Sequence, residues 1–174
     1  LQFTSPGENW GGIEQHIRDL GQGLIERGHR VVFASRPMPH AVAKLREVGE
    51  VHTFPMVNAL DIKTIFGVAR LIRDEAVDIV HAHTSRDTWN ALFATMVAGR
   101  GAAVTTRHVP LAAKGDLLHR WFYNHLGAII CVSDYVREIV IGNPPWVDPD
   151  KVIVYYPVVN LSRFTTGSGE RFRH

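Results

Sequence analysis

The stretch "TSPGENWGGIEQH", residues 4–16, joins a short apolar run to a helical pattern near the start of the chain. The apolar run, Leu1–Ser5, is predicted to be a first strand. After the stretch, apolar residues recur at helical spacing until Gly28 ends the pattern. They are Ile13, Ile17, Leu20, Leu24 and Ile25. A strand that turns directly into a helix is the repeating unit of an α/β fold.

The same alternation of strand and helix continues along the chain. Further strands are predicted at 29–35, 51–55, 78–83, 102–108, 128–133 and 151–157, and helices at about 39–48, 62–72, 86–98, 115–126 and 134–142. Asp61 and Ser133 each precede a helical pattern and are predicted to cap it. The strands are almost continuously apolar, as in sheets that helices cover on both faces. We therefore predict an α/β fold with a doubly wound, mostly parallel sheet of seven strands, and a linker or disordered tail at 165–174.

The composition is that of one soluble globular domain, with 174 residues of which 45% are hydrophobic and 21% charged. Cys131 is the only cysteine, which excludes an internal disulfide and fits a reducing, cytoplasmic compartment. No apolar run approaches the roughly 18 residues of a membrane-spanning helix. The net charge of +2 is too small to indicate a nucleic-acid partner, and no basic helix is present. We therefore expect a cytoplasmic protein that binds no nucleic acid.

Polar and cationic side chains follow the predicted strands, at the edge where ligands bind in open parallel sheets. Beyond the glycine-rich stretch, this edge carries Ser35, Arg36, His83, Thr84, Ser85, Arg86, Arg107, His108 and Ser133. The arginines Arg36, Arg86 and Arg107 would attract anions. We assign Trp10, Glu14 and His16, which stand in or next to the glycine-rich stretch, to the same cleft.

Gly11-Gly12 stands where the first helix begins. Backbone N–H groups and the positive end of the helix dipole form an anion site there, and glycine lets a phosphate or a sugar approach closely. The alternative is a turn that only needs the conformational freedom of glycine. The dinucleotide fingerprint G-x-G-x-x-G and the P-loop lysine pattern are absent, which argues against NAD-dependent enzymes and nucleoside triphosphatases.

His81 and His83 lie two residues apart on a predicted strand and therefore face the same way. Two histidines can begin a metal site, but no Asp, Glu or Cys stands at a suitable spacing, so we predict no metal. We expect His81 to be a hydrogen-bonded core residue and His83 to reach the cleft. His108 ends the fifth strand, where it either bonds a sugar hydroxyl or handles a proton, or only caps the strand.

The segment "KGDLLHRWFYNHL", residues 114–126, mixes basic and aromatic side chains. One interpretation is a helix that lies on a membrane surface, which would make the protein peripheral to the cytoplasmic membrane face. The other is an ordinary amphipathic helix with its aromatic side chains in the core. We favour the second because the basic charge is sparse.

Five stretches together resemble the N-terminal domain of a GT-B glycosyltransferase of family 4, the "group 1" retaining enzymes. They are "GGIEQHIRDLGQGLIERGHRVVFAS" (11–35), "DIVHAHTS" (78–85), "AAVTTRH" (102–108), "AIICVSDYVRE" (128–138) and "KVIVYYPVVNLSRF" (151–164), and they occur in the family's order. The resemblance implies two Rossmann-like domains with a cleft between them. The first, here residues 1–164, would shape the acceptor site, and the second would bind most of a nucleotide-sugar donor. We expect that C-terminal domain to lie outside this sequence, and the fragment alone to be inactive.

The resemblance also implies roles for particular residues. Gly11 and Gly12 would face the donor diphosphate, and His108 would face the transferred sugar. Transfer would retain the anomeric configuration and need no metal, because the charge that develops on the leaving diphosphate is stabilised electrostatically. The acceptor would be a glycan, a lipid-linked compound or a small molecule, and the cationic edge favours an anionic or lipid-linked one.

Two other functions remain open. Nucleotide-sugar 2-epimerases share this architecture but would need acid/base carboxylates in the cleft, where only Glu8 and Glu14 stand. The third interpretation is a stand-alone Rossmann-like domain that binds a small ligand without chemistry.

Overall fold

The computed structural model describes residues 1–112, 114–142 and 146–157, which form one sheet covered by helices. In chain order the elements are β1 (Gln2–Thr4), α1 (Gly12–Glu26), β2 (Val32–Ser35), α2 (Pro39–Arg46), β3 (Glu50–Thr53), α3 (Ile62–Asp74), β4 (Ile79–Ala82), α4 (Ser85–Ala98), β5 (Ala102–Arg107), α5 (Leu117–His125), β6 (Ala128–Cys131), α6 (Asp134–Gly142), a 3₁₀ turn (Pro149–Lys151) and β7 (Val152–Val154). The predicted tail at 165–174 and the last residues of the predicted domain, 158–164, lie outside the described residues.

The seven strands are all parallel, in the order β3-β2-β1-β4-β5-β6-β7. The predicted doubly wound α/β sheet is therefore confirmed. The sheet is wholly rather than mostly parallel. A helix follows each strand from β1 to β6 and returns the chain to the edge at which the strands begin, so every strand runs in the same direction. The strand order reverses at the centre, where β1 pairs with β4 and Phe3 stands opposite Ala82. Ligands of such sheets bind beyond the carboxyl ends of the strands at this reversal.

Helices cover both faces of the sheet, as two neighbouring residues of β2 show. Phe33 packs with Ile17 of α1 and Leu45 of α2, whereas Ala34 belongs to a buried cluster with residues of α3 and α4. Successive side chains of a strand point to opposite faces, so these two clusters lie on opposite sides of the sheet. A third cluster, which includes the buried Cys131, packs α5 and α6 against β6 and β7.

Two predicted helix caps are confirmed. The Asp61 carboxylate accepts a hydrogen bond from the Thr64 N–H at 3.2 Å, and the Ser133 hydroxyl oxygen accepts one from the Val136 N–H at 3.2 Å. Each bond satisfies one of the backbone donors that a helix start leaves without a partner. The sequence therefore marks the starts of α3 and α6 correctly.

The strands are shorter than the apolar runs predict. β4 ends at Ala82 and β5 at Arg107, each one residue before the histidine that closes the predicted strand. The chain leaves the sheet after β4 because Thr84 already caps α4. β7 begins only at Val152, rather than at Lys151, because Lys151 belongs to the 3₁₀ turn.

The side chains of α5 divide between the core and the solvent. Phe122 and Tyr123 are buried, as the amphipathic interpretation of 114–126 predicts. Trp121 departs from it, because it is 36% exposed, and Leu117 and Leu118 beside it are 82% and 59% exposed. Among the described residues, no helix combines the length and the apolar character needed to cross a membrane.

Gly21 is buried where α1 packs on β2, and a Cβ there would lie 2.5 Å from the ζ carbon of Phe33. We expect Gly21→Ala to lower the free energy of unfolding by about 1–3 kcal/mol, because overpacking outweighs the better helix propensity of alanine. Urea-induced unfolding measures the change. Gly23→Ala in the same helix is the matched control. A Cβ at Gly23 meets only the flexible Arg27 guanidinium, at 3.4 Å, so we expect a gain of up to about 1 kcal/mol. Equal effects of the two substitutions would contradict this packing.

Candidate functional site

Three segments of the chain meet beyond the carboxyl ends of the central strands. The loop 5–11 follows β1, His83 and Thr84 follow β4, and His108 follows β5. These segments lie side by side because β1, β4 and β5 are neighbours in the sheet. The first turns of α1 and α4 begin at the same edge, which therefore holds most of the predicted site residues.

Four histidines form a cluster at this edge: His16 of α1, His81 of β4, and His83 and His108 beyond β4 and β5. His83 Nε2 donates to the side-chain oxygen of Gln2 at 2.9 Å, and His83 Nδ1 lies 3.3 Å from His108 Nε2. The ring centre of His16 lies 5.7 Å from that of His83 and 5.3 Å from that of His108. Because His16 and His108 are half-buried, the cluster opens to solvent through these two rings.

Both histidines of the predicted fourth strand are buried. His81 is buried and shares a hydrogen bond of 2.7 Å with the Thr106 hydroxyl, which confirms it as a hydrogen-bonded core residue. Its ring centre lies 4.2 Å from that of His83, so the two face the same way as predicted. His83 is only 3% exposed, so its ring does not itself reach solvent, and its predicted place in the cleft stays a prediction. The ring contacts His108, its more exposed neighbour.

Burial keeps these histidines neutral. Burial and then the nearby His16 lower the pKa of His81 to about 3 and that of His108 to about 4. Burial and the neighbouring imidazoles hold the pKa of His83 well below its usual value, and burial lowers the pKa of His16 against the opposing effect of Asp19. At neutral pH the cluster therefore presents uncharged imidazoles, which bind hydroxyl groups or metal ions rather than anions.

The structure assembles a set of possible metal ligands that sequence spacing did not identify. One ring nitrogen from each of His16, His83 and His108 lies within 4.8 Å of the other two. The sequence argument considered the pair His81 and His83 and sought a further ligand nearby in the chain. The two partners of His83 instead come from α1 and from the end of β5. The absence of a metal stays a prediction.

Gly11 and Gly12 lie exposed at the start of α1. Gly11 has φ −117° and ψ −171°, an extended conformation that any residue adopts, and Gly12 has no positive φ. The turn interpretation therefore does not explain the pair. A Cβ at Gly12 would meet no atom within 4 Å, and one at Gly11 would meet only the Glu14 carboxylate, at 3.0 Å. The space above the helix start is open.

Glu14 caps the helix on which it lies. Its carboxylate accepts a hydrogen bond from the Gly11 N–H at 2.9 Å. In the described part of the chain, no other side chain bonds to the N–H groups of this first turn. The N–H groups of Gly12 and Ile13 therefore have no side-chain partner among the described residues, which makes the helix start suited to an anion.

Trp10 anchors the loop 5–11 instead of standing free in the cleft. Its indole Nε1 donates to the Gln15 side-chain oxygen at 3.1 Å, and its ring packs against the core cluster shared by α1 and α2. Lys44 of α2 places its Nζ 4.6 Å from the ring centre. Trp10 thus holds the glycine-rich loop against the two helices.

A pocket of about 360 Å³ opens beyond β5, between the starts of α4 and α5. Arg86 donates to the Ser5 hydroxyl at 2.9 Å, and Arg107 donates to the Ser85 hydroxyl at 3.1 Å and to the Leu111 carbonyl at 2.6 Å. Besides these arginines, Ser85 and Leu111, the lining consists of Ala59, Thr88, Trp89, Thr105, Ala112, Lys114, His119, Phe122 and Tyr123. The pocket therefore joins a cationic rim to an aromatic wall.

The remaining predicted site residues lie at the edge but outside this pocket. Arg36 follows β2, on the far side of β1, so it does not join Arg86 and Arg107. Thr84 and Ser133 cap α4 and α6. The predicted cationic edge is thus divided, because β1 and its loop stand between Arg36 and the other arginines.

Three residues of the site were not identified as site residues from the sequence. Gln2 orients His83, and Lys114 lines the pocket. Asp87 is fully buried, where its carboxylate accepts from the Ser5 N–H at 3.1 Å and burial raises its pKa. The spacing from Thr84 to Asp87 is that of a capping box, which was the available signal for Asp87. A polar residue in an apolar strand was the signal for Gln2.

Solved structures share this fold. A glycosyltransferase from Rickettsia africae superposes with a TM-score of 0.77 at 20% identity, over 98% of this chain and 47% of that one. HepE from Anabaena, solved in complex with UDP-glucose, has a TM-score of 0.77 at 15% identity, over 97% of this chain and 46% of that one. The chain therefore spans about half the length of these proteins and has the fold of half a GT-B glycosyltransferase.

Sequence comparison agrees with the fold. A phosphatidylinositol N-acetylglucosaminyltransferase subunit of Homo sapiens is 35% identical over 86 residues, which cover 44% of this chain and 18% of that protein. The family model described as Glycosyltransferase Family 4 matches residues 10–163, from the loop before α1 to beyond β7. The match takes in the glycine pair, the histidines of the cluster and the lining of the pocket. The chain belongs to Glycosyltransferase Family 4.

Proposed function

We propose that this chain is the acceptor-side domain of a retaining glycosyltransferase that uses a nucleotide-sugar donor. One observation carries the proposal: in a chain of this family, an open glycine helix start and the neutral His108 occupy the same sheet edge. His16 lies one turn after Gly12 in α1 and contacts the His108 ring, so it links the helix start to His108. In this proposal residues 1–164 form the N-terminal domain, a second domain binds most of the donor, and the first domain alone is inactive.

The start of α1 suits the diphosphate of the donor. Glu14 already takes the Gly11 N–H, so the diphosphate oxygens would use the N–H groups of Gly12 and Ile13. The open space above Gly12 admits the close approach that this requires. Donors and a helix dipole aimed at a leaving diphosphate stabilise the charge that develops there, so we propose transfer without a metal ion. HepE, whose structure holds UDP-glucose, supports a UDP-sugar as the donor class.

His108 suits a sugar hydroxyl. With its pKa lowered to about 4 by burial, the imidazole is neutral at pH 7 and both gives and accepts hydrogen bonds. A cation at this position would repel the positive charge that develops on a sugar in glycosyl transfer. A neutral imidazole avoids that repulsion while it holds the sugar ring in place.

The pocket beyond β5 suits an acceptor that carries a negative charge. Arg86, Arg107 and Lys114 line it, and the Arg107 Nε is buried without a hydrogen-bond partner in the described residues. Arginine and lysine donors recognise phosphate, and the aromatic wall packs against an apolar or sugar group. The human relative is by its name a phosphatidylinositol N-acetylglucosaminyltransferase subunit, and phosphatidylinositol carries a phosphate. We propose a phosphate-bearing acceptor.

The exposed face of α5 suits delivery of a lipid-linked acceptor. Leu117, Leu118 and Trp121 are exposed on the helix whose other side lines the pocket with Phe122 and Tyr123. Exposed apolar side chains with a few cationic ones, here Arg120, are found on helices that lie on anionic membrane surfaces. We propose that the protein works at the cytoplasmic face of a membrane.

Transfer is favoured over epimerisation by the placement of the carboxylates. Epimerisation needs acid/base carboxylates that reach the substrate. Glu14 caps α1, and Asp87 is fully buried and bonded to the Ser5 backbone. Neither is therefore free for that role, and the exposed Glu8 alone does not supply an acid/base pair.

Loss of the His108 imidazole tests the catalytic proposal. In the protein that joins this chain to its second domain, we expect His108→Ala to lower kcat by roughly 10–1000-fold, because one contact made in the transition state is lost. Initial-rate kinetics with a UDP-sugar measure it. His29→Ala is the control, because His29 lies in the exposed turn after α1, and its turnover should equal that of the unmodified protein. Normal turnover in His108→Ala would leave His108 a structural residue.

Arg107→Lys tests the acceptor pocket, because it keeps the positive charge but removes the planar fork that bonds a phosphate. We expect KM for a phosphate-bearing acceptor to rise about tenfold, with KM for the donor unchanged. The same substitution at the exposed Arg70 of α3 is the matched control and should change neither constant. An equal rise in KM for the acceptor with its phosphate removed would contradict phosphate recognition.

A double substitution on α5 tests the membrane contact. Leu117→Gln with Leu118→Gln should weaken binding to phosphatidylinositol-containing vesicles about tenfold or more, because two apolar side chains leave the lipid surface. Vesicle co-sedimentation measures it. Ile62→Gln with Phe66→Gln removes two similarly exposed apolar groups from α3 and should leave binding unchanged. The contact is refuted if the protein does not sediment with these vesicles, or if both double variants bind equally.

A further inference from the structure

Three imidazole rings surround a common point at the sheet edge. The ring centres of His16, His83 and His108 lie 5.7, 5.3 and 5.6 Å apart, close to an equilateral triangle. Imidazoles bound to one tetrahedral Zn²⁺ at its usual bond lengths have ring centres about 5 Å apart and ligand nitrogens about 3.4 Å apart. His83 Nδ1 and His108 Nε2 are already 3.3 Å apart, and all three ligand nitrogens lie within 4.8 Å of one another. Small side-chain rotations that move the ring nitrogens by about 1 Å would bring all three to bonding distance from one ion.

His83 is held in the orientation that a metal ligand requires. Its Nε2 bonds to the side-chain carbonyl oxygen of Gln2, which only accepts, so this nitrogen carries the hydrogen. The lone pair therefore lies on Nδ1, which points to His108 and the centre of the set. An oxygen acceptor on the outer nitrogen of a ligating histidine is the usual arrangement in metal sites.

A hydrogen bond between His83 and His108 does not account for the whole cluster. His16 comes from a different element, α1, and its ring contacts both other rings without a hydrogen bond to either. Its half-buried position, with that of His108, leaves an entry path from the cleft. His81 does not belong to the set, because its Nε2 is bonded to Thr106.

We propose that His16, His83 and His108 bind a divalent transition-metal ion, best matched by Zn²⁺, with the fourth coordination position open to the cleft. Imidazole nitrogens suit Zn²⁺, and three protein ligands with one open position form a recognised zinc geometry. The ion takes up the lone pair of His108, so bound Zn²⁺ inhibits sugar transfer. That inhibition rests on the proposed function, whereas the binding itself does not.

Metal titration of the 174-residue chain tests the binding. We expect one Zn²⁺ per chain by calorimetry with a Kd of about 1 µM or below, and the visible absorption of tetrahedral Co²⁺ on substitution. His16→Gln and His108→Gln should each weaken Zn²⁺ binding about 100-fold or more, because a ligand is lost, and Gln2→Ala about tenfold. His16 lies half-buried on a helix surface, so its variant is expected to fold, which circular dichroism checks.

The control is His81→Gln, which removes a histidine of the same cluster that lies outside the ligand set and should leave the Kd within about twofold. No binding, or binding by His16→Gln equal to that of the unmodified chain, overturns the site. In the two-domain protein, Zn²⁺ should lower transfer, EDTA should restore it, and His16→Gln should be insensitive to Zn²⁺. Binding without inhibition upholds the site and overturns only its effect on transfer. Failure of the transfer assay itself leaves the titration result intact, so the two proposals fail separately.

Discussion

The parallel pairing of β1 with β4 at the centre of the sheet determines where this molecule can act. β1 is only three residues long. Two further hydrogen bonds lengthen its pairing with β4: the Leu1 amino group donates to the Ile79 carbonyl, and the His81 N–H donates to the Leu1 carbonyl. Because both strands end at the same edge and each turns into a helix, the starts of α1 and α4 lie side by side. The buried Asp87 of α4 then bonds the Ser5 backbone and ties the two strand-to-helix turns together.

The edge so formed has two chemical environments next to one another. The imidazoles near β4 are uncharged, because the sheet and α1 bury them and a charged ring would lose its hydration. The cationic guanidinium groups of Arg86 and Arg107 lie nearby, where hydroxyl and carbonyl oxygens accept their hydrogen bonds. A neutral region suits a reacting sugar, and a cationic one suits an anionic acceptor. The proposed division between transfer and acceptor binding follows from this separation of charge.

Much of the fold could be predicted from the sequence, because its signals are local. The alternation of apolar runs with helical spacing predicts the α/β sheet, and Asp61 and Ser133 mark helix starts with one side chain each. Strand ends are less well predicted, because an apolar run continues past the residue at which a cap such as Thr84 takes the chain out of the sheet. Trp10 had no predicted partner, since its bond to Gln15 and its contact with Lys44 depend on how α1 packs on α2.

The sequence by itself determined the fold class, the family resemblance and the edge of the sheet that carries the polar residues. These follow from spacing along the chain, which sets the face or the end of an element on which a side chain lies. Only the tertiary structure decided which of those residues meet. It joined His16 to His83 and His108, and it separated Arg36 from Arg86 and Arg107. The reason is strand order: neighbours in a parallel sheet come from distant parts of the chain, and no local pattern records which strands are adjacent.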